Sequence, residues 1–335
     1  MPATIPESDA ALARFQVLAL SGGGYRGLYT ARVLADIEEH VGSPAATHFE
    51  LLAGTSVGGI LALALAYEIP AARIVELFEK HGARIFAKRD SIGMRASTYS
   101  SEPLRELLSQ NDLFGVRTLG DCRHRLMVPA INFTTGKPVI FKTDHHASFL
   151  TDLKLRAVDV ALATSAAPTY FPRHTFQSNQ YVDGGLYANA PGLLALHEAE
   201  VFLDQPLRDV HIMAVGTMSA KFTVDPRKSK AGGFISWGGL NPSKTPQQLF
   251  GLAISIQETL VDYMLKHRLG DRYCHVDDDL KDEQARAVGL DTATPAATEV
   301  LLGTAHERAK WVLGNQACSR FFAHRAAAPI FLNRS

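Results

Sequence analysis

One serine stands between two glycines where an apolar run stops and another begins, in the segment Gly54-Thr55-Ser56-Val57-Gly58. A strand, then G-x-S-x-G, then a helix is the pattern of a nucleophile elbow, a sharp turn that exposes the serine hydroxyl. The glycines would let the backbone approach neighbouring elements, and the helix N-terminus would offer free N–H groups. Turns rich in Gly and Ser are common before helices, so Ser56 is equally well interpreted as an ordinary first helical residue. The pentapeptide makes Ser56 a candidate nucleophile and no more.

Three consecutive glycines lie in a second strand-to-helix turn, LSGGGYRG, which spans Leu20 to Gly27. Such glycines can turn backbone N–H groups inward to bind an anion. A Walker phosphate loop needs a closing Gly-Lys-Ser/Thr that this turn lacks, and the glycine spacing of a dinucleotide fingerprint is also missing. An oxyanion hole for the serine's tetrahedral intermediate fits better, lined by Gly22, Gly23 and Gly24, with a positive φ at Gly23. Arg26 has two interpretations: it strengthens this anion site, or it forms a salt bridge that holds the loop.

A base for the serine is available in the segment YVDGGLYANAP, where Asp183 follows a short apolar run and precedes Gly184 and Gly185. A carboxylate placed beside a serine can accept its proton without an imidazole. Asp-Gly is also a strong turn signal on its own. Asp183 is therefore a candidate base, and an ordinary turn residue if the segment is considered alone.

A histidine base is the other possibility, because the order serine, acid, histidine occurs in α/β-hydrolases. Six histidines follow Asp183, and none lies in a Gly-flanked loop that singles it out: His197, His211, His267, His275, His306 and His324. Each is better interpreted as a surface or core residue. His145 and His146 have no nearby set of ligands, and no Cys/His cluster has the spacing of a metal site. The sequence predicts neither a metal nor an organic cofactor.

The composition is that of a globular protein without a charge bias. Of the 335 residues 46% are hydrophobic and 20% are charged, and Lys plus Arg equals Asp plus Glu at 34 each. This balance gives no global field for nucleic acid, so no nucleic-acid partner is predicted. Cys122, Cys274 and Cys318 are far apart and odd in number, and we expect them to be reduced. The first residues lack a basic segment followed by an apolar run, so no signal peptide is expected and the predicted location is cytoplasmic.

Short apolar runs alternate with amphipathic segments through the first part of the chain, which is typical of a mainly parallel sheet covered by helices on both faces. Strands are predicted at residues 15–20, 49–53, 126–132, 138–142 and 210–216, and helices at 27–40, 57–67, 71–86, 158–165, 247–265 and 298–313. No linker divides the chain convincingly. We therefore predict one α/β domain over residues 1–335, a three-layer α/β/α sandwich.

The segment from Lys221 to Lys244 interrupts this alternation. It is rich in Gly, Pro and Lys, has no hydrophobic period and is predicted to be an exposed loop. Its basic and aromatic residues could meet an anionic lipid surface or a nucleotide phosphate, although a solvated loop with incidental charges is the simpler interpretation. These residues are Arg227, Lys228, Lys230, Phe222, Phe234 and Trp237.

The glycine loop, the G-x-S-x-G turn and the D-G-G segment, in this order, closely resemble the motifs of the patatin-like phospholipases, as does ALATSAAPTYFP at residues 161–172. The resemblance covers residues 15–217; the C-terminal part, predicted to be helical over residues 245–335, matches no motif of the family. The resemblance implies an α/β/α fold and a catalytic serine–aspartate pair without a histidine. On this chain the pair is Ser56 and Asp183, and Gly22 to Gly24 with Arg26 form the oxyanion hole.

A finer resemblance is to the bacterial patatin-like effectors of anti-phage (CBASS) operons, around LALSGGGYRGLYTARVLADIEE and the segment that follows it. It implies hydrolysis of membrane phospholipids at the inner face of the cell membrane, once a cyclic dinucleotide made by a partner nucleotidyltransferase binds. No motif marks a nucleotide pocket, and a homo-oligomer is left open. The alternatives are an unregulated lipase or esterase, a serine peptidase, or a cyclic-nucleotide-binding protein with a vestigial site.

Overall fold

The computed structural model describes residues 14–89, 97–218, 244–280, 284 and 287–334. The exposed loop predicted from Lys221 to Lys244 falls outside these residues except for Lys244, where a helix begins. The interpretation of its basic and aromatic side chains stays a prediction.

Eight strands of the described residues form one mixed sheet. They are β1 (Phe15–Leu20), β2 (Leu51–Gly54), β3 (Leu126–Asn132), β4 (Lys137–Lys142), β5 (His174–Phe176), β6 (Asn179–Asp183), β7 (Val210–Val215) and β8 (Tyr273–Val276). The sheet order is β5-β6-β3-β2-β1-β7-β8, and β4 pairs with β3. The pairs β1–β2, β1–β7, β2–β3 and β7–β8 are parallel, whereas β3–β4, β3–β6 and β5–β6 are antiparallel. The sheet is therefore parallel through its centre and antiparallel towards one edge.

Helices cover both faces of this sheet. They are α1 (Gly27–Val41), α2 (Val57–Ala66), α3 (Ala71–Ile85), α4 (Glu102–Leu108), α5 (Ala157–Thr164), α6 (Gly185–Ala188), α7 (Gly192–Val201), α8 (Lys244–Leu269), α9 (Pro295–Gly314) and α10 (Gln316–Ala323). The helices predicted from hydrophobic periodicity are present, with ends that move by up to four residues. Strands β5, β6 and β8 were not predicted: β5 and β6 are short, and β8 borders a polar segment without a clear period.

Strand β1 contributes side chains to two hydrophobic cores, one on each face of the sheet. Side chains alternate across a strand, and here Leu18 and Leu20 enter the larger core with helices α1, α2 and α3. Phe15, Val17 and Ala19 enter a second core on the other face, where α7 and α8 pack. All six residues of β1 are buried, as expected for a central parallel strand covered on both sides. The predicted three-layer α/β/α architecture is confirmed.

The expectation of three reduced cysteines is wrong for two of them. Cys274 on β8 and Cys318 on α10 form a disulfide, with their Cα atoms 5.7 Å apart, and Cys122 is a free, buried thiol. Forty-four positions of sequence separate the bonded pair. Only the packing of α10 against the sheet brings these two positions within reach of each other, which spacing in the sequence could not show.

Candidate active site

Ser56 occupies the turn between β2 and α2 in a backbone conformation that is rare for a residue with a side chain. Its φ is 56° and its ψ is −125°, and such conformations persist only where the surrounding structure enforces them. The flanking glycines permit the turn because a Cβ at Gly54 would lie 2.1 Å from the carbonyl oxygen of Gly58. The G-x-S-x-G segment thus has the backbone shape of a nucleophile elbow.

The backbone of Ser56 is held by a threonine that sequence analysis did not single out. The Ser56 N–H donates to Thr164 Oγ1 at 2.9 Å, and the Thr164 hydroxyl donates to the carbonyl of Pro129 at 2.6 Å. Thr164 is the last residue of α5 and is fully buried. These bonds tie the turn to α5 and β3. The TSAAP segment around Thr164 was a family-like stretch, but nothing in it pointed to this contact.

The side chain of Ser56 meets Asp183. The Ser56 hydroxyl donates to Asp183 Oδ2 at 2.6 Å, and Asp183 Oδ1 accepts the N–H of Gly185 at 2.7 Å. Ser56 is 9% exposed and Asp183 is 1% exposed. Burial raises the pKa of Asp183 to about 7, and the hydrogen bonds from Ser56 and Gly185 oppose this rise. A carboxylate with a pKa near the working pH is suited to accept and return a proton.

The glycine loop faces the same space, but the N–H groups of its three glycines differ in their hydrogen bonding. The Gly22 N–H donates to the carbonyl of Asn189 at 3.0 Å, so it is already engaged. Within the described residues the N–H groups of Gly23 and Gly24 have no acceptor, and both residues line the pocket that contains Ser56 and Asp183. Two free amides beside a nucleophile are what an oxyanion hole requires.

The predicted positive φ lies one residue later than expected. Gly23 has a φ of 177°, which is extended backbone, whereas Gly24 has a φ of 58°. A Cβ at Gly24 would also lie 2.1 Å from the carbonyl oxygen of Leu290. The sequence could not distinguish the two positions, because the close approach of residue 290 sets the requirement.

Arg26 contacts the backbone of the glycine loop and does not line the pocket of Ser56. Its guanidinium donates to the carbonyl oxygens of Gly23 at 3.4 Å and Met218 at 3.2 Å, and it is 6% exposed. Burial lowers the pKa of Arg26, and the carboxylates of Glu258 and Asp277 oppose this. These contacts support the interpretation in which Arg26 holds the loop.

Asn189 connects the two catalytic segments to α8. Its Nδ2 donates to the Gly22 carbonyl at 3.1 Å and to Glu258 Oε1 at 2.8 Å, and its backbone N–H donates to Gln257 Oε1 at 3.1 Å. The Gln257 amide in turn donates to the carbonyl of Leu186 at 2.8 Å. Sequence analysis missed these residues, although Asn189 lies in the segment quoted for its D-G-G motif.

An apolar pocket begins at Ser56 and Asp183 and runs beside α2. Its walls are aliphatic and aromatic side chains of α2, α3 and α4 and of the loop after α4. Phe114 lies at the far end, where its ring packs on Tyr67 just beyond α2 with centroids 5.9 Å apart. Ser56 directly precedes α2 and Tyr67 directly follows it, so Phe114 lies towards the end of α2 that is remote from Ser56. A hydrocarbon chain fits such a slot, and its carboxyl end would reach the serine.

Comparison with known proteins agrees with this geometry. A family model described as patatin-like phospholipase matches residues 18–196. The chain is 45% identical over 326 residues to a cGAMP-activated phospholipase of Pseudomonas aeruginosa, covering 95% of this chain and 94% of that protein. An Escherichia coli protein of the same description is 33% identical over 334 residues, 92% of this chain and 93% of its own.

The chain belongs to the patatin-like phospholipase family. Another E. coli member, described as a cUMP-AMP-activated phospholipase, is 30% identical over 214 residues, 60% of this chain and 64% of that protein. The family match contains the glycine loop, Ser56 and Asp183. It ends before α8, which lies within the longer alignment to the P. aeruginosa relative.

The six histidines considered as the base of an α/β-hydrolase triad lie outside the pocket of Ser56. None of them lines its pocket within the described residues. His275, His306 and His324 meet Asp262, Asp36 and Glu50, respectively. His145 pairs with Glu198 and His146 with Ser148. In the described part of the chain, Asp183 is the group placed to take the serine proton.

The described residues contain no group of three or more His, Cys, Asp or Glu side chains that could hold a metal ion. Among the described helices none is both long enough and apolar enough to cross a membrane.

Proposed function

We propose that this chain is a phospholipase that hydrolyses acyl esters of membrane phospholipids through an acyl-Ser56 intermediate, and that a cyclic dinucleotide activates it. The observation that carries the catalytic part is the 2.6 Å bond from Ser56 Oγ to Asp183 Oδ2 at the head of an apolar pocket. Family membership supplies the reaction class.

Acylation follows from the positions of the two side chains. Ser56 Oγ attacks the ester carbonyl as its proton passes to Asp183 Oδ2, and the carbonyl oxygen becomes an oxyanion beside the amides of Gly23 and Gly24. When the tetrahedral intermediate collapses, the ester C–O bond breaks and Asp183 returns the proton to the departing lysophospholipid oxygen. The fatty acyl group remains on Ser56, with its chain in the apolar pocket.

Deacylation reverses these roles. A water molecule loses a proton to Asp183 as it attacks the acyl carbon, and the same amides stabilise the second oxyanion. Collapse of this intermediate breaks the bond to Ser56 Oγ, which recovers its proton from Asp183, and a free fatty acid leaves. No metal or organic cofactor enters either step.

Substitution of the pair tests this proposal. We expect Ser56→Ala and Asp183→Asn each to lower phospholipid hydrolysis by about 10⁴-fold or more, because nucleophile and base act as one unit. Ser165→Ala is a matched control, since this serine also lines the pocket but its hydroxyl donates to the Ala161 carbonyl. Asp152→Asn is the control for Asp183, because burial raises the pKa of that carboxyl too. Full activity of Asp183→Asn would refute the role of Asp183 as the base for Ser56.

Activation by a cyclic dinucleotide is proposed because the relatives that align over nearly the full length of this chain are cGAMP-activated phospholipases. An enzyme that degrades its host's phospholipids at the inner face of the membrane must be nearly silent at rest. Moving a switch from about 1:99 to 99:1 requires roughly 5.5 kcal/mol of preferential binding to the active state. A partner nucleotidyltransferase would supply the nucleotide, and rearrangement between subunits of a homo-oligomer is one route for the response.

Purified protein incubated with phospholipid vesicles tests the switch. Separate reactions contain cGAMP, the cUMP-AMP that activates a more distant relative, or no nucleotide. We expect hydrolysis to be low without nucleotide and to rise strongly with cGAMP. Equal and high rates in all three reactions would contradict regulation while leaving the lipase chemistry intact.

A further inference from the structure

Helix α8 carries a row of large apolar side chains that face solvent. Leu249, Ile256, Leu260, Tyr263 and Met264 are 47%, 57%, 54%, 61% and 39% exposed. Single exposed apolar residues are ordinary on protein surfaces, but a contiguous group marks an interaction site. Five on one helix therefore require an explanation.

The spacing places all five on one face. With 100° per residue, positions 249, 256, 260, 263 and 264 fall within an arc of about 120°, and Leu252, Ala253 and His267 share it. The charged residues between Leu249 and Met264 are Glu258 and Asp262, and both lie outside this arc. The outer face of α8, defined by these five exposed residues, is an uncharged stripe roughly 22 Å long.

The adjoining flank of the same helix borders the pocket that contains Ser56. Phe250 and Ile254 line that pocket with Ser56 and are buried. Gln257, at the edge of the stripe, bonds to Leu186, which is itself 38% exposed. Anything that binds the outer face of α8 therefore lies within one helix diameter, roughly 10 Å, of the wall of the pocket.

The dimensions of the stripe favour a lipid surface over a second copy of the chain. A footprint of about 22 Å by 10 Å is near 220 Å², far below the ~800 Å² per partner of a stable protein pair. An amphipathic helix can instead lie in the plane of a bilayer with such a face among the acyl chains. Tyr263 suits this boundary, because its ring is apolar and its hydroxyl is polar.

We propose that the outer face of α8 is a membrane-docking surface that holds the catalytic pocket against the phospholipid bilayer. This inference rests on the proposed phospholipase function, because the bilayer contains the substrate. The docking face is distinct from the catalytic residues, so binding and chemistry can be separated by experiment.

The test compares Ile256→Ser/Leu260→Ser with Leu150→Ser/Val201→Ser. The control residues are 60% and 53% exposed and lie in the loop after β4 and at the end of α7. Binding is measured by cosedimentation with phosphatidylcholine–phosphatidylglycerol vesicles in a Ser56→Ala background, so that vesicles stay intact. Hydrolysis is measured with proteins that retain Ser56. The reactions contain cGAMP, and the substrates are the same vesicles and a water-soluble short-chain ester.

We expect the α8 variant to bind vesicles about tenfold more weakly or worse, since two half-exposed aliphatic side chains no longer enter the bilayer. Vesicle hydrolysis should fall in parallel, whereas hydrolysis of the soluble ester and the melting temperature should match those of the control. Failure of the catalytic proposal would give a different result. The parent protein with Ser56 would then hydrolyse neither the vesicles nor the soluble ester, while the α8 substitutions would still weaken vesicle binding. Unchanged vesicle binding by the α8 variant would overturn the docking surface. If light scattering then showed that a dimer of the parent protein dissociates in this variant, the face would belong to a second copy.

Discussion

The Ser56 hydroxyl and the Asp183 carboxylate lie 2.6 Å apart although 127 positions separate them in the sequence. Strand β3 brings them together, because it pairs with β2 through Leu126 and with β6 through Ala130, the register partner of Asp183. Asp183 is the last residue of β6, and Ser56 follows the end of β2 by two residues, so one rigid sheet sets their separation.

The pH dependence of hydrolysis should report the Asp183 carboxyl. Burial raises its pKa to about 7, and the carboxyl must be ionised to accept the serine proton. We expect kcat/KM for a soluble ester to rise with pH and to level off above an apparent pKa of about 7. Steady-state rates between about pH 5 and pH 9 test this. A profile already flat at pH 5 would contradict a base with this pKa.

The same pKa shift predicts that raising the pH increases activity but lowers the stability of the folded protein. The folded protein holds the Asp183 proton more tightly than the unfolded chain does, since the pKa rises from 3.8 to about 7 on folding. The free energy of unfolding should therefore decrease as pH rises through this window. Asp183→Asn removes the buried charge and should melt at a higher temperature than the parent protein at pH 8, with the difference shrinking towards pH 4. Thermal unfolding measured across this range gives the result, and a difference independent of pH would refute the linkage.

Thr164 is predicted to position the nucleophile. Thr164→Val leaves the Ser56 N–H without its acceptor in a buried place, which should cost about 1–3 kcal/mol of stability and lower kcat more than it changes KM. Thr143→Val is the control, because Thr143 is also fully buried and accepts a backbone N–H, that of Leu126, at 2.9 Å. Both variants should lose stability in denaturant titrations. Equal kcat values for the two would show that Thr164 is structural only.

Gly24 is predicted to be required for the oxyanion site. Gly24→Ala combines a strained positive φ with a Cβ 2.1 Å from the Leu290 carbonyl oxygen, so the loop must shift. Gly136→Ala separates these effects: Gly136 has a φ of 66° in the turn between β3 and β4, and a Cβ there meets nothing within 4 Å. We expect strain of about 1 kcal/mol in both proteins but a large fall in kcat only for Gly24→Ala. Similar kcat values in the two variants would remove Gly24 from the site.

The two segments of the candidate catalytic pair could be recognised in the sequence because their signals are local. Ser56 lies between its own glycines, and Asp183 stands two residues before Gly185, the glycine whose N–H it accepts. Asn189, Gln257 and Thr164 could not be predicted, since their roles are contacts between distant segments and a lone Asn, Gln or Thr has no distinctive pattern.

The errors in the sequence-based predictions have the same origin. The positive φ falls at Gly24 rather than Gly23 because the loop packs against residue 290, far along the chain. The Cys274–Cys318 disulfide depends on where β8 and α10 lie in the fold. The helical C-terminal part matched no motif, yet α8 supplies Phe250 and Ile254 to the pocket wall.

The far end of the pocket should set the preferred acyl-chain length. Phe114 lies there, 1% exposed, beside Tyr67 at the end of α2 remote from Ser56. Phe114→Leu removes part of this wall with a stability cost of about 1 kcal/mol, and the freed space should admit longer chains. We expect kcat/KM to shift towards longer acyl groups in a series of phosphatidylcholines that differ only in chain length. Phe141→Leu controls for the loss of a buried ring, because Phe141 is 2% exposed in the same core but does not line the pocket. An unchanged chain-length profile in Phe114→Leu would mean that the acyl chain does not reach Phe114, and the apolar slot beside α2 would then not be its binding site.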